Sequence, residues 1–401
     1  MLSAATDLAL GRPGARTALY LLESWWAKSR LPAVPSPSLG LVAKVAADEA
    51  FRTLMVAMSH LPSRRELVVI RDELERAAEL FGERGWQDRP QAYHVEPPGL
   101  SSVLSRRERC WGLDYDHIRF VSGYEPHEGE PGRERWLSYK PVRTAHAWVL
   151  RHRGHARPWL VCVHGYRMGF PLADFTAFRA RWLHEELGLN VVIPVLPLHG
   201  ERKIGKRSGD GFFTAAFMDT VHAEAQAIWD LRRILDWIRG QEGGERLGVY
   251  GISLGGYTAA LLAGFDGNLD CIVAGMPAIS LTALLRIHAP KRLLRAAEAA
   301  GIRWETAETV ARVISPLGVR PLVPRERRFL FAGAADRLIP RDHIERLWRH
   351  WERPALWWFE GSHLSFTWET DKINSLLARA LRQSGLLRLG AGAEPVESRA
   401  A

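Results

Sequence analysis

Gly251-Ile252-Ser253-Leu254-Gly255 lies between the apolar run Arg246-Leu247-Gly248-Val249-Tyr250 and the Ala/Leu-rich run Gly256-Tyr257-Thr258-Ala259-Ala260-Leu261-Leu262-Ala263. The order reads as a strand, a turn too tight for ordinary side chains, then a helix. A serine at the apex of such a turn is pushed out at the strand's end, with its hydroxyl exposed above a helix N-terminus. Glycines two positions to either side let strand and helix approach closely. The pattern G-x-S-x-G recurs by chance in many chains. Its strand–turn–helix setting gives it meaning here.

An exposed serine hydroxyl is a weak nucleophile near neutral pH, so a chemical role demands a base and a group to orient that base. Both candidates follow in the chain. Arg328-Phe329-Leu330-Phe331-Ala332-Gly333 is a short apolar run ending in Ala334-Ala335-Asp336-Arg337-Leu338-Ile339-Pro340. Ala355-Leu356-Trp357-Trp358-Phe359-Glu360 is another, ending in Gly361-Ser362-His363-Leu364. The rivals are less well placed. His343 and His350 fall on the helix expected after Pro340, among Glu and Arg neighbours that suggest a solvated face. Asp342 is too far into that helix, and Asp266 and Asp270 precede a strand instead of following one. Gly275-Met276-Pro277-Ala278, after the preceding strand, offers no acid.

Upstream, Trp159-Leu160-Val161-Cys162-Val163 runs into His164-Gly165-Tyr166, a strand followed by an H-G-x turn. With the order Ser, Asp, His, these motifs resemble the alpha/beta-hydrolase superfamily, in its dienelactone-hydrolase and prolyl-oligopeptidase-like branch. The chain is also similar to hydrolase-domain proteins that add a helical N-terminal extension. The resemblance covers roughly residues 115–385. It implies an α/β architecture, a mostly parallel eight-stranded sheet with helices on both faces. It implies Ser253 as nucleophile, His363 as general base and Asp336 as the acid that orients His363. The backbone amides of Tyr166 and Leu254 are the expected oxyanion hole, Leu254 because it opens a helix whose unpaired N–H groups favour negative charge. His164 is read as stabilising its turn.

The rest of the chain sets the frame. At 401 residues it can hold one large domain and an extension, and its 47% hydrophobic and 25% charged content is that of an ordinary globular protein. Residues 1–110 read as a helical extension, 111–386 as the hydrolase domain, with a helical lid insertion at about 276–325, and 387–401 as a disordered tail. Within the extension, Thr17–Ser29 suits a short helix, the Pro-rich stretch from Leu31 to Ser38 a stiff linker, and Leu41–His60 a second helix. Ser63-Arg64-Arg65-Glu66 has the form of a capping box before Leu67, Ile70, Leu74 and Phe81. These helices pack on the domain or offer an amphipathic surface to a lipid or partner. Ile118–Ser122, Trp136–Tyr139 and Ala145–Arg151 are expected as opening antiparallel strands.

The three cysteines, Cys110, Cys162 and Cys271, have no metal-type spacing. Neither a metal nor a cofactor is implied. The 54 Lys+Arg against 45 Asp+Glu leave a net charge of +9, yet no nucleic-acid-binding signature accompanies it. Acidic and basic residues interrupt the N-terminal apolar residues, so no transmembrane segment or exported leader is expected and a cytoplasmic protein is the default. Contact with a membrane surface stays open. The loop from Pro197 to Phe212 carries His199, Arg202, Lys203, Lys206 and Arg207 on the edge where the other motifs lie. It suits either an anionic substrate group, held by His199, Arg202 and Arg207, or plain solvation. The expected activity is hydrolysis of a small-molecule or lipid carboxylic ester through an acyl-enzyme. Peptidase or acyltransferase chemistry uses the same residues. A hydrolase-fold protein with vestigial catalysis, serving as a lipid-binding or scaffold module, is the alternative.

Overall fold

The computed structural model describes residues 38–58, 61–213 and 216–387, together with Gly14, Arg16, Thr17, Ala18 and Tyr20. Most of the helix expected at 17–29, the Pro-rich stretch at 31–37 and the tail from 388 lie outside the described residues. Leu387, expected to open that tail, packs against the core. Two helices come first, α1 (Leu39–Met58) and α2 (Arg64–Glu83). The capping box at the start of α2 is formed: Ser63 Oγ accepts from the Glu66 amide at 3.3 Å, and the Glu66 carboxylate accepts from the Ser63 amide at 2.7 Å. Leu67, Ile70, Leu74 and Phe81 line one face of α2 and are buried in the main core, each worth roughly 1.5–3 kcal/mol of transfer free energy. The amphipathic face of α2 is thus turned inward.

The strands are β1 (Leu104–Cys110), β2 (Leu113–Val121), β3 (Thr144–Leu150), β4 (Trp159–Val163), β5 (Asn190–Pro194), β6 (Leu247–Ile252), β7 (Cys271–Gly275), β8 (Arg328–Gly333) and β9 (Ala355–Phe359). They form one sheet in the order β1-β2-β3-β5-β4-β6-β7-β8-β9. Pairings from β1 to β5 through β2 and β3 are antiparallel, and all others are parallel. The sheet therefore has nine strands among the described residues, not eight. The additional one is β1, inside the segment expected to be helical. Its sequence, Leu-Ser-Arg-Arg-Glu-Arg-Cys, is mostly exposed, and charge suits an edge strand that must not pair further. A second correction concerns Trp136–Tyr139, which belongs to a short helix, α3 (Arg133–Ser138), and the turn after it. Trp136 and Tyr139, three residues apart, both reach the following long helix, Trp136 Nε1 to Gln226 and the Tyr139 hydroxyl to Asp219.

The remaining helices are α4 (Pro171–Phe178), α5 (Phe217–Arg239), α6 (Leu254–Leu262), α7 (Leu281–His288), α8 (Lys291–Ala299), α9 (Trp304–Ala311), α10 (Arg341–His350) and α11 (Thr370–Gln383). Strands β4 to β8 are buried throughout, as expected of parallel strands covered on both faces. Side chains alternate across the sheet. Val161 and Val163 join the layer holding α2, α5 and α6, whereas Leu160 and Cys162 join the layer holding α4 and α11. The insertion between β7 and β8 is helical as expected, but broken by Pro290 and by Gly301 in a left-handed conformation. It docks on α2, where Arg71 donates to the Ala300 carbonyl at 3.3 Å. Strand register aligns Val163 with Gly251, Ile252 with Gly275 and Gly333 with Phe359. The loops leaving β4, β6, β8 and β9 consequently emerge along one edge of the sheet.

Candidate active site

Ser253 sits between β6 and α6 with φ 56° and ψ −116°, a backbone conformation that costs a non-glycine residue of order 1–3 kcal/mol. Its surroundings enforce that geometry. A Cβ on Gly251 would run into the Gly255 carbonyl, and one on Gly255 into the Val163 carbonyl. The Ser253 amide donates to the Gly275 carbonyl at 2.9 Å, and the Ser253 carbonyl accepts from Tyr257 at 3.0 Å. Close packing of β4, β6 and the start of α6 leaves the serine no ordinary conformation. Its hydroxyl is driven outward.

His363 follows β9 in a turn and is almost wholly buried, at 5% exposure. Its Nε2 lies 2.9 Å from Ser253 Oγ, and its Nδ1 lies 2.7 Å from Asp336 Oδ2. The other Asp336 oxygen, Oδ1, accepts from the amides of Leu338 and Ile339, each at 2.8 Å. Those two bonds fix the carboxylate's plane and leave Oδ2 for the imidazole. With Asp336 accepting at Nδ1, the neutral ring carries its proton there and offers a lone pair to Ser253. Burial opposes charging His363, but the charge and hydrogen bond of Asp336, helped by the charge of Asp48, outweigh it, and the imidazole's pKa is raised above its ordinary 6.5.

The turn after β4 closes the other side. A Cβ on Gly165 would lie 3.5 Å from Ser253 Cβ, so the backbone at Gly165 runs directly against the serine. Leu254 occupies the first position of α6, where an amide has no partner within the helix. His164 is buried and held neutral: burial lowers its pKa, its Nδ1 lies 2.8 Å from the Gly165 carbonyl, and its Nε2 accepts from the Leu196 amide at 3.1 Å. It stitches the β4 turn to the loop after β5.

The basic loop behaves differently from the anion-holding option. Arg202 is 1% exposed. Its guanidinium donates to Asp230 Oδ2 at 2.8 Å and to the carbonyls of Val142 and Val195 at 2.8 and 3.0 Å. Those bonds tie the loop to α5 and the sheet. His199 is also buried, its Nδ1 on the Pro197 carbonyl at 2.9 Å, and burial beside His164 lowers its pKa to about 3. Neither is available to a ligand at the surface. The Arg207 side chain remains exposed, its amide donating to Asp210 at 2.8 Å. The rival histidines are packing residues, not solvated ones. His343 is buried and accepts from the Ile279 amide at 3.2 Å, and His350 reaches the Val319 carbonyl at 2.8 Å. Asp266 pairs with Arg239, and Asp270 accepts from the Leu247 amide.

One residue at the site escaped the sequence reading. Asp48, on α1, is fully buried against the loops that carry Asp336 and His363. A signal was present. Leu41, Val45 and Asp48 recur at helical spacing and form one buried stripe, in which an acid stands where an apolar residue belongs.

The fold is the alpha/beta-hydrolase fold. Solved structures that share it include two acetyl xylan esterases. The acetyl xylan esterase from Paenibacillus sp. R4 has a TM-score of 0.52 and 15% identity, covering 73% of this chain and 93% of its own. Acetyl xylan esterase 1 from Thermoanaerobacterium sp. JW/SL YS485 has a TM-score of 0.51 and 12% identity, covering 74% and 93%. No family model matches the sequence. Two relatives are much nearer in sequence, the uncharacterized protein MT2702 of Mycobacterium tuberculosis strain CDC 1551 / Oshkosh and the uncharacterized protein Rv2627c of strain ATCC 25618 / H37Rv. Each is 40% identical over 381 residues, spanning 94% of this chain and 91% of the relative. The chain belongs to the family of these mycobacterial proteins.

Proposed function

We propose that the protein is a serine hydrolase that cleaves a small-molecule carboxylic ester through an acyl-enzyme, with Ser253 as nucleophile, His363 as general base and Asp336 as orienting acid. The observation that carries this reading is the continuous line from Ser253 Oγ to His363 Nε2 at 2.9 Å and from His363 Nδ1 to Asp336 at 2.7 Å, ending on a strained elbow. Ser253 Oγ attacks the ester carbonyl carbon while its proton passes to His363 Nε2. The oxyanion that forms is held by the amides of Leu254 and Tyr166, at a helix start and at a turn packed on the serine. The C–O bond to the alcohol then breaks as His363 returns the proton to the departing oxygen. Water, deprotonated by the same imidazole, attacks the acyl-enzyme, and the acid leaves as Ser253 regains its proton. Asp336 stays ionised and stabilises the imidazolium.

The test is labelling with a fluorophosphonate probe alongside turnover of p-nitrophenyl esters from acetyl to long acyl chains. Wild type should be labelled and should turn over at least one ester. Ser253→Ala should lose labelling and fall to the small residual rate that binding and the oxyanion amides supply. Failure of the wild type to react with the probe or any ester would favour a vestigial site, and full activity in Ser253→Ala would overturn the assignment.

A further inference from the structure

We propose that Asp48 is a positioning residue for the triad: from helix α1, its carboxylate binds the acid loop and the base loop together, making the N-terminal helix part of the catalytic apparatus. The inference rests on the serine-hydrolase reading and extends it to a residue 315 positions before the base.

The contacts are specific to the two loops. Asp48 Oδ2 accepts from the Arg337 amide at 3.0 Å, directly after Asp336, and from the amide of His363 itself at 2.8 Å. Asp48 Oδ1 accepts from the Leu364 amide at 2.9 Å and lies 3.0 Å from the Ser362 hydroxyl. That hydroxyl also lies 2.8 Å from the Lys44 carbonyl of α1, and its single proton serves one of the two at a time. One oxygen therefore spans both loops, joining the residue after the acid to the base. The other fixes the turn on the far side of the base. Hydrogen bonds from backbone N–H groups to an ionised carboxylate are shorter and stronger than neutral ones, and Asp48 has no exposed surface through which water could compete.

The rest of α1 is built around the same two loops. Leu41 and Val45 pack against Ala335, beside the acid. Glu49 pairs with Arg337 at 3.2 Å. Lys44 pairs with Glu369 and donates to the Glu360 carbonyl, the latter at 3.3 Å. A helix that served only to cover apolar surface would not bury Asp48 and Glu49 at 0% and 1% exposure on its contact face. The β8–β9 pairing runs into the two loops, where the Ala334 and Ala335 amides donate to the Phe359 and Gly361 carbonyls, each at 2.9 Å. Beyond Ala335 and Gly361, Asp48 ties the residue after the acid to the amide of the base. It also adds negative charge near the imidazole, whose titratable neighbours are Asp336, Asp48 and His288.

The experiment is Asp48→Asn in the full-length chain. An asparagine offers one acceptor oxygen, so its NH2 group must oppose either the Arg337 and His363 amides or the Leu364 amide. The expected result is a kcat at least tenfold below wild type with KM within twofold, a parallel fall in fluorophosphonate labelling, and an acid limb of the pH profile moved to lower pH. A purely structural role would lower the melting temperature and leave KM, kcat and the pH profile of the folded fraction unchanged. A kcat within twofold of wild type with an unmoved acid limb overturns the proposal. If Asp48→Asn does not fold, Ser362→Ala decides. It keeps the carboxylate and should lower kcat a few-fold, the size of one hydrogen bond, at constant KM. No change in kcat there overturns the proposal equally. Wild type and Ser253→Ala run in parallel separate the two readings: if Ser253→Ala abolishes turnover while Asp48→Asn is silent, only the role of Asp48 falls.

Discussion

Asp336→Asn isolates the tautomer of His363 from the rest of the site. The carboxylate is held by Oδ1, which accepts from two backbone amides at 2.8 Å, leaving Oδ2 to accept from His363 Nδ1 at 2.7 Å. In the asparagine variant the side-chain oxygen must stay with the two amides, because an NH2 there would oppose two buried donors at about 1–3 kcal/mol each. The amide nitrogen then faces Nδ1 and donates to it. His363 is forced to carry its proton on Nε2, where it donates to Ser253 and cannot take the serine's proton. Enforcing the wrong tautomer in this way lowers kcat roughly ten-thousandfold, about 5 kcal/mol of activation free energy. The assay is steady-state hydrolysis of the best p-nitrophenyl ester near pH 8, with a thermal melt to show that the variant is folded. Loss of the Asp336 charge also removes what raises the pKa of His363. Because the base must be neutral to act, activity falls as pH drops through that pKa, and the acid limb of the variant's residual activity should lie at lower pH than that of wild type. A folded Asp336→Asn enzyme with kcat within tenfold of wild type would refute the reasoning.

Two further outcomes follow from buried charges. Arg202→Ala should destabilise the fold on the order of 3–5 kcal/mol, because it strands the buried carboxylate of Asp230, whereas Arg207→Ala, at an exposed side chain, should leave the melting temperature unchanged. Equal melting temperatures for Arg202→Ala and wild type would contradict this assignment. Glu224 on α5 is fully buried, with its pKa raised to about 8 by that burial, opposed by the Thr258 hydroxyl that donates to it at 3.0 Å. The folded protein keeps this proton while the unfolded chain releases it above the ordinary 4.5. Stability is therefore whole below that value and is lost as pH rises towards about 8. Glu224→Gln keeps the acceptor for Thr258 and should raise the melting temperature at pH 8 but not at pH 4. A melt difference that is the same at both pH values would rule this out.

Much of the site was legible because its parts are local. The elbow is written in five consecutive residues, since glycine spacing and an apolar strand determine the close packing that drives Ser253 outward. Asp336 and His363 could be picked out because each follows a short apolar run, and parallel strands deliver the residues after them to one edge. The parts that were illegible depend on distant partners or on sheet edges. Arg202 looked like a surface cation because its neighbours in sequence are charged, and its partner Asp230 lies on another element. β1 carries charge without alternation, which an edge strand permits and which a periodicity argument cannot see. Trp136 and Tyr139 read as strand residues, yet their three-residue spacing puts both on one face of a helical turn against α5.

The two halves of the candidate triad are held in physically different ways, which explains why the Ser253 elbow is marked by a five-residue motif and the tie from α1 to the Asp336 and His363 loops is not. Ser253 is fixed by steric exclusion: glycines at 251 and 255 allow β4, β6 and α6 so close together that no relaxed serine conformation fits. Any chain building that elbow must repeat the same small residues at the same spacing, so the arrangement leaves a signature in sequence. The Asp336 and His363 loops instead continue the β8–β9 pairing, through the Ala334 and Ala335 amides on the Phe359 and Gly361 carbonyls, and are tied further by backbone amides that donate to a carboxylate on α1. Backbone donors exist at every residue except proline, so the amide bonds to Asp48 ask for no particular loop side chain, and their trace in sequence is an acid on a helix face that ought to be apolar. A search for such misplaced acids in helices outside the sheet is therefore the reading that this site rewards.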